Sequence, residues 1–276
     1  MESIGIIGGG VVGLCCAYYL NKDVHEVTVI DEGDFTSGCS YLNAGMIVPS
    51  HVVPLAAPGV VGKGIKWMLK ADSPFAFHFS AHKDMLRWLW LFNRSANEKN
   101  VHHAIPYLRD ISWLSKSLYQ QLAKEEGFNF GYDKRGLMML YQTAEAEKEE
   151  IATADFANKT GVRAEILPAD EVQKMEPELK VKVRGGIYFP GDAHLNPEKF
   201  MQNLKVCLQN KGVQFMHRTK VTGLKINGRG KVSVNTLNRD WEYDEIVVAC
   251  GTASGMLLKG LPLSLPLQGG KGYSLM

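Results

Sequence analysis

"IGIIGGGVVGLCCAYYLNKDVHEVTVID", residues 4 to 31, is the stretch whose reading decides the fold. "IGIIG" is short, apolar and β-branched, the composition of a strand covered on both faces. "VVGLCCAYYLNK" predicts a helix entered without a polar cap. "HEVTVID" returns as a second buried strand, and a right-handed crossover makes the pair a parallel βαβ unit.

Gly8, Gly10 and Gly13 fit GxGxxG directly after the first strand, and Asp31 closes the second strand about twenty residues on. The first glycine permits a tight turn, the second lets backbone approach a pyrophosphate, and the third allows close helix-to-strand contact. Phosphate charge then meets the free amides and positive dipole end of the helix that starts at Val11 and Val12. Asp31 is placed to accept hydrogen bonds from ribose hydroxyls. Plain turn glycines are the bland alternative, which the register of strand, helix, strand and acid disfavours. The unit predicts an ADP moiety and does not by itself separate nicotinamide from flavin.

Beyond the acid, "SGCSYLNAGMIVP" sets Ser40, Asn43 and Gly45 in a backbone-rich turn past a strand end, where open α/β sheets bind ligands. A simple NAD site usually enters its next helix sooner. Irregular sequence continues through "VVPLAAPGVVGKG", a length that in a compact domain is usually functional. Helical spacing then appears at Met85, Trp88, Leu89 and Phe92, and again at Leu108, Ile111, Leu114, Leu118 and Leu122, predicting two core-facing helices. "FNFGYDKRGLMMLY" predicts a hairpin around Gly136, and this block reads as a separate lobe. After "GGIYFPGDAHLNP", Asn196 and Pro197 cap and open a helix closed by Gly212. "VQFM", "KVTGLKI" and "KVSVNTL" are strands. "WEYDEIVVACGTASGMLL" ends in a strand, a glycine turn and a helix start, and its strand should rejoin the first sheet.

Of 276 residues, 45% are hydrophobic and 22% charged, enough for a large core and two lobes. The net charge of +2 comes with no basic cluster, which argues against nucleic acid as a partner. Five cysteines, with no CxxC pair, suggest reduced thiols rather than zinc or disulfides and point to a cytoplasmic location. No metal site is expected, and no apolar run approaches the ~18 residues of a membrane span.

With "IIGGGVVGLCCAYYL", "HEVTVID", "SYLNAGMIVPSHVVPLAAPGVVGKGIKWML", "GGIYFPGDAHLNPEKFMQNL" and "KGYSL" in view, the chain resembles the FAD-dependent oxidoreductases of the D-amino acid oxidase family. Within it, the chain most resembles the small subunit of bacterial D-amino acid dehydrogenases. The "NAGMI" loop is far more specific than the glycine motif.

The resemblance implies an α/β fold, α+β overall: a Rossmann-like FAD lobe with an inserted substrate lobe of antiparallel sheet and helices. The expected boundaries are 1–62 and 190–262 for the FAD lobe, 63–189 for the substrate lobe, and 263–276 for its returning strand. Carried over by position, Gly8, Gly10 and Gly13 take the pyrophosphate and Asp31 the ribose of FAD. Ser40, Asn43, Ala44, Gly45 and Met46 line the flavin, the Val221 backbone holds the adenine, and Ala249, Cys250 and Gly251 form the turn beside the pyrophosphate. The implied reaction is oxidation of a D-amino acid to an imino acid, then hydrolysis to a 2-oxo acid and ammonia. An arginine is the expected carboxylate clamp.

Family members continue past "KGYSL" with further substrate-lobe strands and a segment closing over the flavin, so a truncated chain with at most weak turnover is also expected. Tyr273 and His51 are the candidates for the substrate cavity, with a rim aromatic and an ordinary loop histidine as the bland alternatives. Cys250 reads as a packed thiol and His194 as a loop hydrogen-bonder. "MLRWLWLF" (85–92) reads as a buried helix; its alternative, a peripheral contact with the inner face of the membrane, would suit a quinone as electron acceptor. An ADP-binding fragment without turnover and an NAD-dependent dehydrogenase are the competing functions.

Overall fold

The computed structural model describes residues 1–62, 64, 82–228 and 230–272. In chain order its first half contains β1 (Ser3–Ile7), α1 (Val11–Lys22), β2 (Glu26–Ile30), β3 (Met46–Ile47), α2 (Lys83–Ser95), α3 (Glu98–Leu122), β4 (Leu137–Tyr141) and α4 (Ala144–Lys159). Then follow β5 (Glu165–Pro168), α5 (Ala169–Met175), β6 (Gly185–Phe189), β7 (Ala193–His194), α6 (Pro197–Asn210) and β8 (Gln214–Met216). β9 (Val221–Ile226), β10 (Val232–Thr236), β11 (Asp240–Tyr243), β12 (Glu245–Val248) and the short α7 (Ser254–Leu257) complete it.

β1 is apolar on both faces because both are covered. It pairs in parallel with β2 on one side and β12 on the other, and β2 carries β8, giving the order β12-β1-β2-β8. Ile4 and Ile6 point to one face, where they join Val27 and Val29 with Leu14, Ala17 and Tyr18 of α1 and Phe200, Met201, Leu204 and Leu208 of α6. Ile7 and Ile30 point to the other, against Leu224, Val234 and Tyr243 of the antiparallel sheet β11-β10-β9. The three layers are thus helices, parallel sheet and antiparallel sheet. Fully burying a Leu or Ile contributes roughly 1.5–3 kcal/mol, so this stack dominates the stability of the region.

Asp244, between β11 and β12, ties the layers at one corner. Its Oδ2 accepts from the Ser3 amide at 2.9 Å and the Ser3 hydroxyl at 2.7 Å, and Lys231 lies 3.0 Å from its Oδ1. Those bonds, the backbone one first, hold the carboxyl well below the usual range.

A second core forms where α4, through Ala154 and Ala157, meets the antiparallel sheet β4-β6-β5 at Tyr141, Ile187 and Phe189. α3 reaches from this core, with Val101 and Ile105, to the first core, with Leu122.

Asn196 caps α6 as expected, its side chain accepting from the Lys199 amide at 2.9 Å. Three expectations need correction. Residues 128–141 are not a hairpin: only β4 is a strand, and it pairs with β6 from Leu137↔Phe189 to Tyr141↔Gly185, while Phe128 and Phe130 pack into the first core. In α3, Ile111 and Leu114 are 64% and 57% exposed, because the buried face runs through Val101, Ile105, Lys116 and Leu122 instead. The "MLRWLWLF" helix, α2, has no fully buried residue; Trp90 is 58% exposed, and Trp88 stacks on Phe92 at 5.0 Å. Among the described residues, no helix is long and apolar enough to cross a membrane.

Candidate functional site

The site is built where two glycine turns meet. Gly8 has φ +110°, and a Cβ there would lie 2.3 Å from the Ala249 carbonyl oxygen, so the turn after β1 rests directly on the turn after β12. The Ala249 amide donates to the Ile7 carbonyl at 2.7 Å, and the Gly8 amide donates to Ile30 at 2.8 Å. Gly13 is equally constrained: its Cβ would stand 1.9 Å from the Gly8 carbonyl oxygen. A larger residue at Gly8 would push the two turns apart, and one at Gly13 would push the helix off the sheet.

α1 begins without a cap from Gly10. The hydroxyl of Ser40 supplies one from a distance, accepting from the Val11 amide at 2.9 Å and standing 3.1 Å from where a Gly10 Cβ would be. A helix N-terminus, a serine hydroxyl and a side-chain-free backbone therefore converge on one point, a cradle that fits a pyrophosphate. Val12, in the first turn, is 61% exposed beside it.

Asp31 turns its carboxylate into the same corner. Oδ2 accepts from the Gly9 amide at 2.6 Å and Oδ1 from the Gly33 amide at 2.7 Å. Each oxygen keeps a further lone pair for a hydroxyl. The loop before β9 packs alongside: the Thr219 amide donates to the Asp31 carbonyl and the Arg218 amide to Gly33, both at 2.8 Å, which brings Val221 to this end of the sheet.

The loop 38–47 forms a ledge. Asn43 knits it, its Nδ2 donating to the Cys39 and Ser40 carbonyls at 3.1 Å and its Oδ1 accepting from the Gly45 amide at 2.8 Å. Gly45 has φ +63°, and its Cβ would meet the Leu195 carbonyl oxygen at 2.0 Å. Only glycine fits there. β3 then pairs with β7, Met46 opposite His194 and Ile47 opposite Ala193. Ala44 and Met46 are left exposed on the ledge. His194, read from the sequence as a loop hydrogen-bonder, lies in β7 instead, and its backbone exchanges hydrogen bonds with that of Asp133 at 2.8 and 2.9 Å.

The fold thus gathers Gly8, Gly10, Val11, Val12, Gly13, Asp31, Ser40, Val221, Ala249, Cys250 and Gly251 around the carboxyl ends of β1, β2 and β12, with Asn43 to Met46 alongside. Cys250 donates its thiol to the Ile7 carbonyl at 3.1 Å; burial, then the Asp31 charge, pushes the thiol up to about 11, so it stays protonated and packed. His51 lines a cleft of about 420 Å³ together with Met46, Ile47, Pro49, Ile111 and Tyr119. Tyr273 lies outside the described residues.

Sequence reasoning missed Ser50, Lys116 and Asp192. Asp192 is completely buried, and burial pushes its carboxyl up against the opposing pull of the Ser50 hydrogen bonds. Lys116 donates to the Gly191 carbonyl at 2.5 Å and lies 4.9 Å from the Trp113 ring centroid; burial lowers its ammonium. Ser50, Trp113, Arg163 and Asp192 border a separate cavity of about 300 Å³. The only signal in the sequence was a charged residue inside an apolar run, "YFPGDAHL".

The family model described as FAD dependent oxidoreductase matches residues 3–276. A D-amino acid dehydrogenase of Helicobacter pylori is 33% identical over 274 residues, covering 99% of this chain and 65% of that protein. One from Neisseria meningitidis serogroup C / serotype 2a is 32% identical over 275 residues, covering 98% and 66%. The chain thus spans about two thirds of the length of these curated relatives. Among solved structures, glycine oxidase from Geobacillus kaustophilus aligns with TM-score 0.65 at 20% identity, over 94% of this chain and 58% of that one. L-alpha-glycerophosphate oxidase from Mycoplasma pneumoniae, with FAD bound, aligns with TM-score 0.60 at 17% identity, over 93% and 56%. These two likenesses concern the fold.

Proposed function

Since the chain belongs to the D-amino acid oxidase family of FAD-dependent oxidoreductases, we propose that it serves the oxidative deamination of a D-amino acid. The products are an imino acid and, after hydrolysis, a 2-oxo acid and ammonia. The relatives named D-amino acid dehydrogenase support this reading. FAD, when bound, supplies the acceptor for the α-carbon hydride. The chain's own residues hold and orient it: Val11 and Ser40 toward the pyrophosphate, Asp31 toward the ribose, Val221 beside the adenine, and the 43–46 ledge along the ring system. In this reading the elements of residues 1–62 and 190–262 serve the cofactor, and the second core, built on α4 and the sheet β4-β6-β5, belongs to the part that covers the substrate.

The single observation that carries the reading is the contact of the Gly8 and Ala249 turns at the head of α1, with Asp31 and Ser40 turned into the same corner. Titration of flavin-free protein with FAD tests it. Asp31→Ala should weaken binding by about tenfold or more, equivalent to roughly 1.4 kcal/mol. A thermal melt of the flavin-free variant separates this from loss of the Gly9 and Gly33 bonds. Unchanged affinity would remove Asp31 from the site.

Trp90 and Leu86 are exposed on α2, and the Arg94 guanidinium lies 5.2 Å from the Trp90 ring. This supports a peripheral contact with the cytoplasmic face of the membrane, a position that would suit a quinone as electron acceptor. Co-sedimentation with anionic vesicles, lost in Trp90→Ala, is the expected result.

A further inference from the structure

Asp192 lies beneath the loop that follows the ledge. Its Oδ1 accepts from the Ser50 amide at 3.1 Å and its Oδ2 from the Ser50 hydroxyl at 2.5 Å. Burial raises the Asp192 carboxyl and the two Ser50 hydrogen bonds pull the other way; both of its oxygens take a hydrogen from Ser50, so in this arrangement Asp192 is the acceptor. A hydroxyl has one hydrogen. With that hydrogen given to Asp192, the Ser50 oxygen can only accept from His51, whose Nδ1 is 2.8 Å away. Nδ1 must then carry the proton, and in the neutral ring Nε2 is the nitrogen with the free lone pair. His51 is also steadied by the Phe189 ring, at 6.1 Å between centroids, and borders the cleft shared by Met46 and Ile47.

We propose that Asp192 and Ser50 form a relay fixing His51 as its Nδ1–H tautomer, so that Nε2 accepts the proton of a substrate ammonium group held over the ledge. The tautomer rests on geometry alone; the identity of the proton donor rests on the deaminase reading above. In the step, one N–H bond of the ammonium breaks, its proton bonds to Nε2, and the electron pair stays on the amine nitrogen. Nothing is oxidised or reduced. The amine becomes neutral, the form that can release an α-hydride, and the imidazolium is stabilised through Ser50 by the Asp192 carboxylate. His51 touches the substrate, whereas Ser50 and Asp192 are positioning residues.

The test begins with long-range proton–nitrogen NMR spectra of the flavin-free, ¹⁵N-histidine-labelled 276-residue chain, with His51 assigned from His51→Gln. At alkaline pH His51 should show the Nδ1–H pattern. Ser50→Ala should move it toward Nε2–H, and Ser50→Thr should keep it. A wild-type Nε2–H pattern, or no response to Ser50→Ala, would overturn the relay. For the base role, kcat/KM with D-alanine and a dye acceptor is followed against pH in flavin-loaded protein. Wild type should lose rate as imidazole protonates, and His51→Gln should be about 10²-fold slower at neutral pH and lack that limb. Persistence of the limb in His51→Gln overturns the base role. A correctly tautomeric His51 in a protein with no turnover at any pH counts against the deaminase reading and leaves the relay standing.

Discussion

α1 and α3 both carry apolar residues at helical spacing, and the fold treats them differently. α1 sits between a sheet and another helix, burying Gly13, Leu14, Ala17 and Tyr18. α3 is twice as long, crosses between two cores, and exposes Tyr107, Ile111 and Leu114 while burying Lys116. The difference teaches that periodicity specifies a helix but not its cover. For α1 one cover is local, a strand on each side in sequence, and only the other, α6, is distant; for α3 both covers come from segments that sequence spacing does not bring near.

Substitutions can break this contrast. The largest effect should come from Gly13→Ala, whose Cβ would collide with the Gly8 carbonyl; we expect a loss of about 3 kcal/mol or more, read by urea unfolding. Leu14→Ala, at a fully buried position, should cost about 3 kcal/mol. Asp244→Asn should lower Tm at pH 7. Because the Asp244 carboxyl is held below its usual range, its contribution is complete above the unfolded value of about 4 and fades as pH falls toward the folded one. The gap between Asp244→Asn and wild type should therefore close as melts are run toward pH 3. Ile111→Ala, on the exposed side of α3, should change stability by no more than about 0.5 kcal/mol. A cost near that of Leu14→Ala would show that Ile111 is covered in solution.

The βαβ unit was legible because its determinants are close together: Gly8, Gly13 and Asp31 need only each other and the strands beside them. The last strand of the sheet was legible too, since "EIVV" followed by a glycine turn repeats the pattern of β1. What failed was non-local. β4 finds its partner nearly fifty residues on, in β6, so an adjacent hairpin was the wrong pairing. Asp192 meets Ser50 across 142 positions and Lys116 meets Gly191 across 75, separations at which no spacing rule operates.

The central place of β1 has a consequence for the order in which the protein is made. β1 leaves the ribosome ahead of β2, with which it can pair at once, yet its other edge is closed only by β12, about 240 residues later. At about 5–20 residues per second, that edge stays open for roughly 10–50 s. During that interval "IGII" presents unpaired amides on an apolar strand, the kind of edge that recruits another chain. Until β12 appears the nascent protein carries this edge open to misassembly, and a chaperone that shields residues 3–7 would protect it.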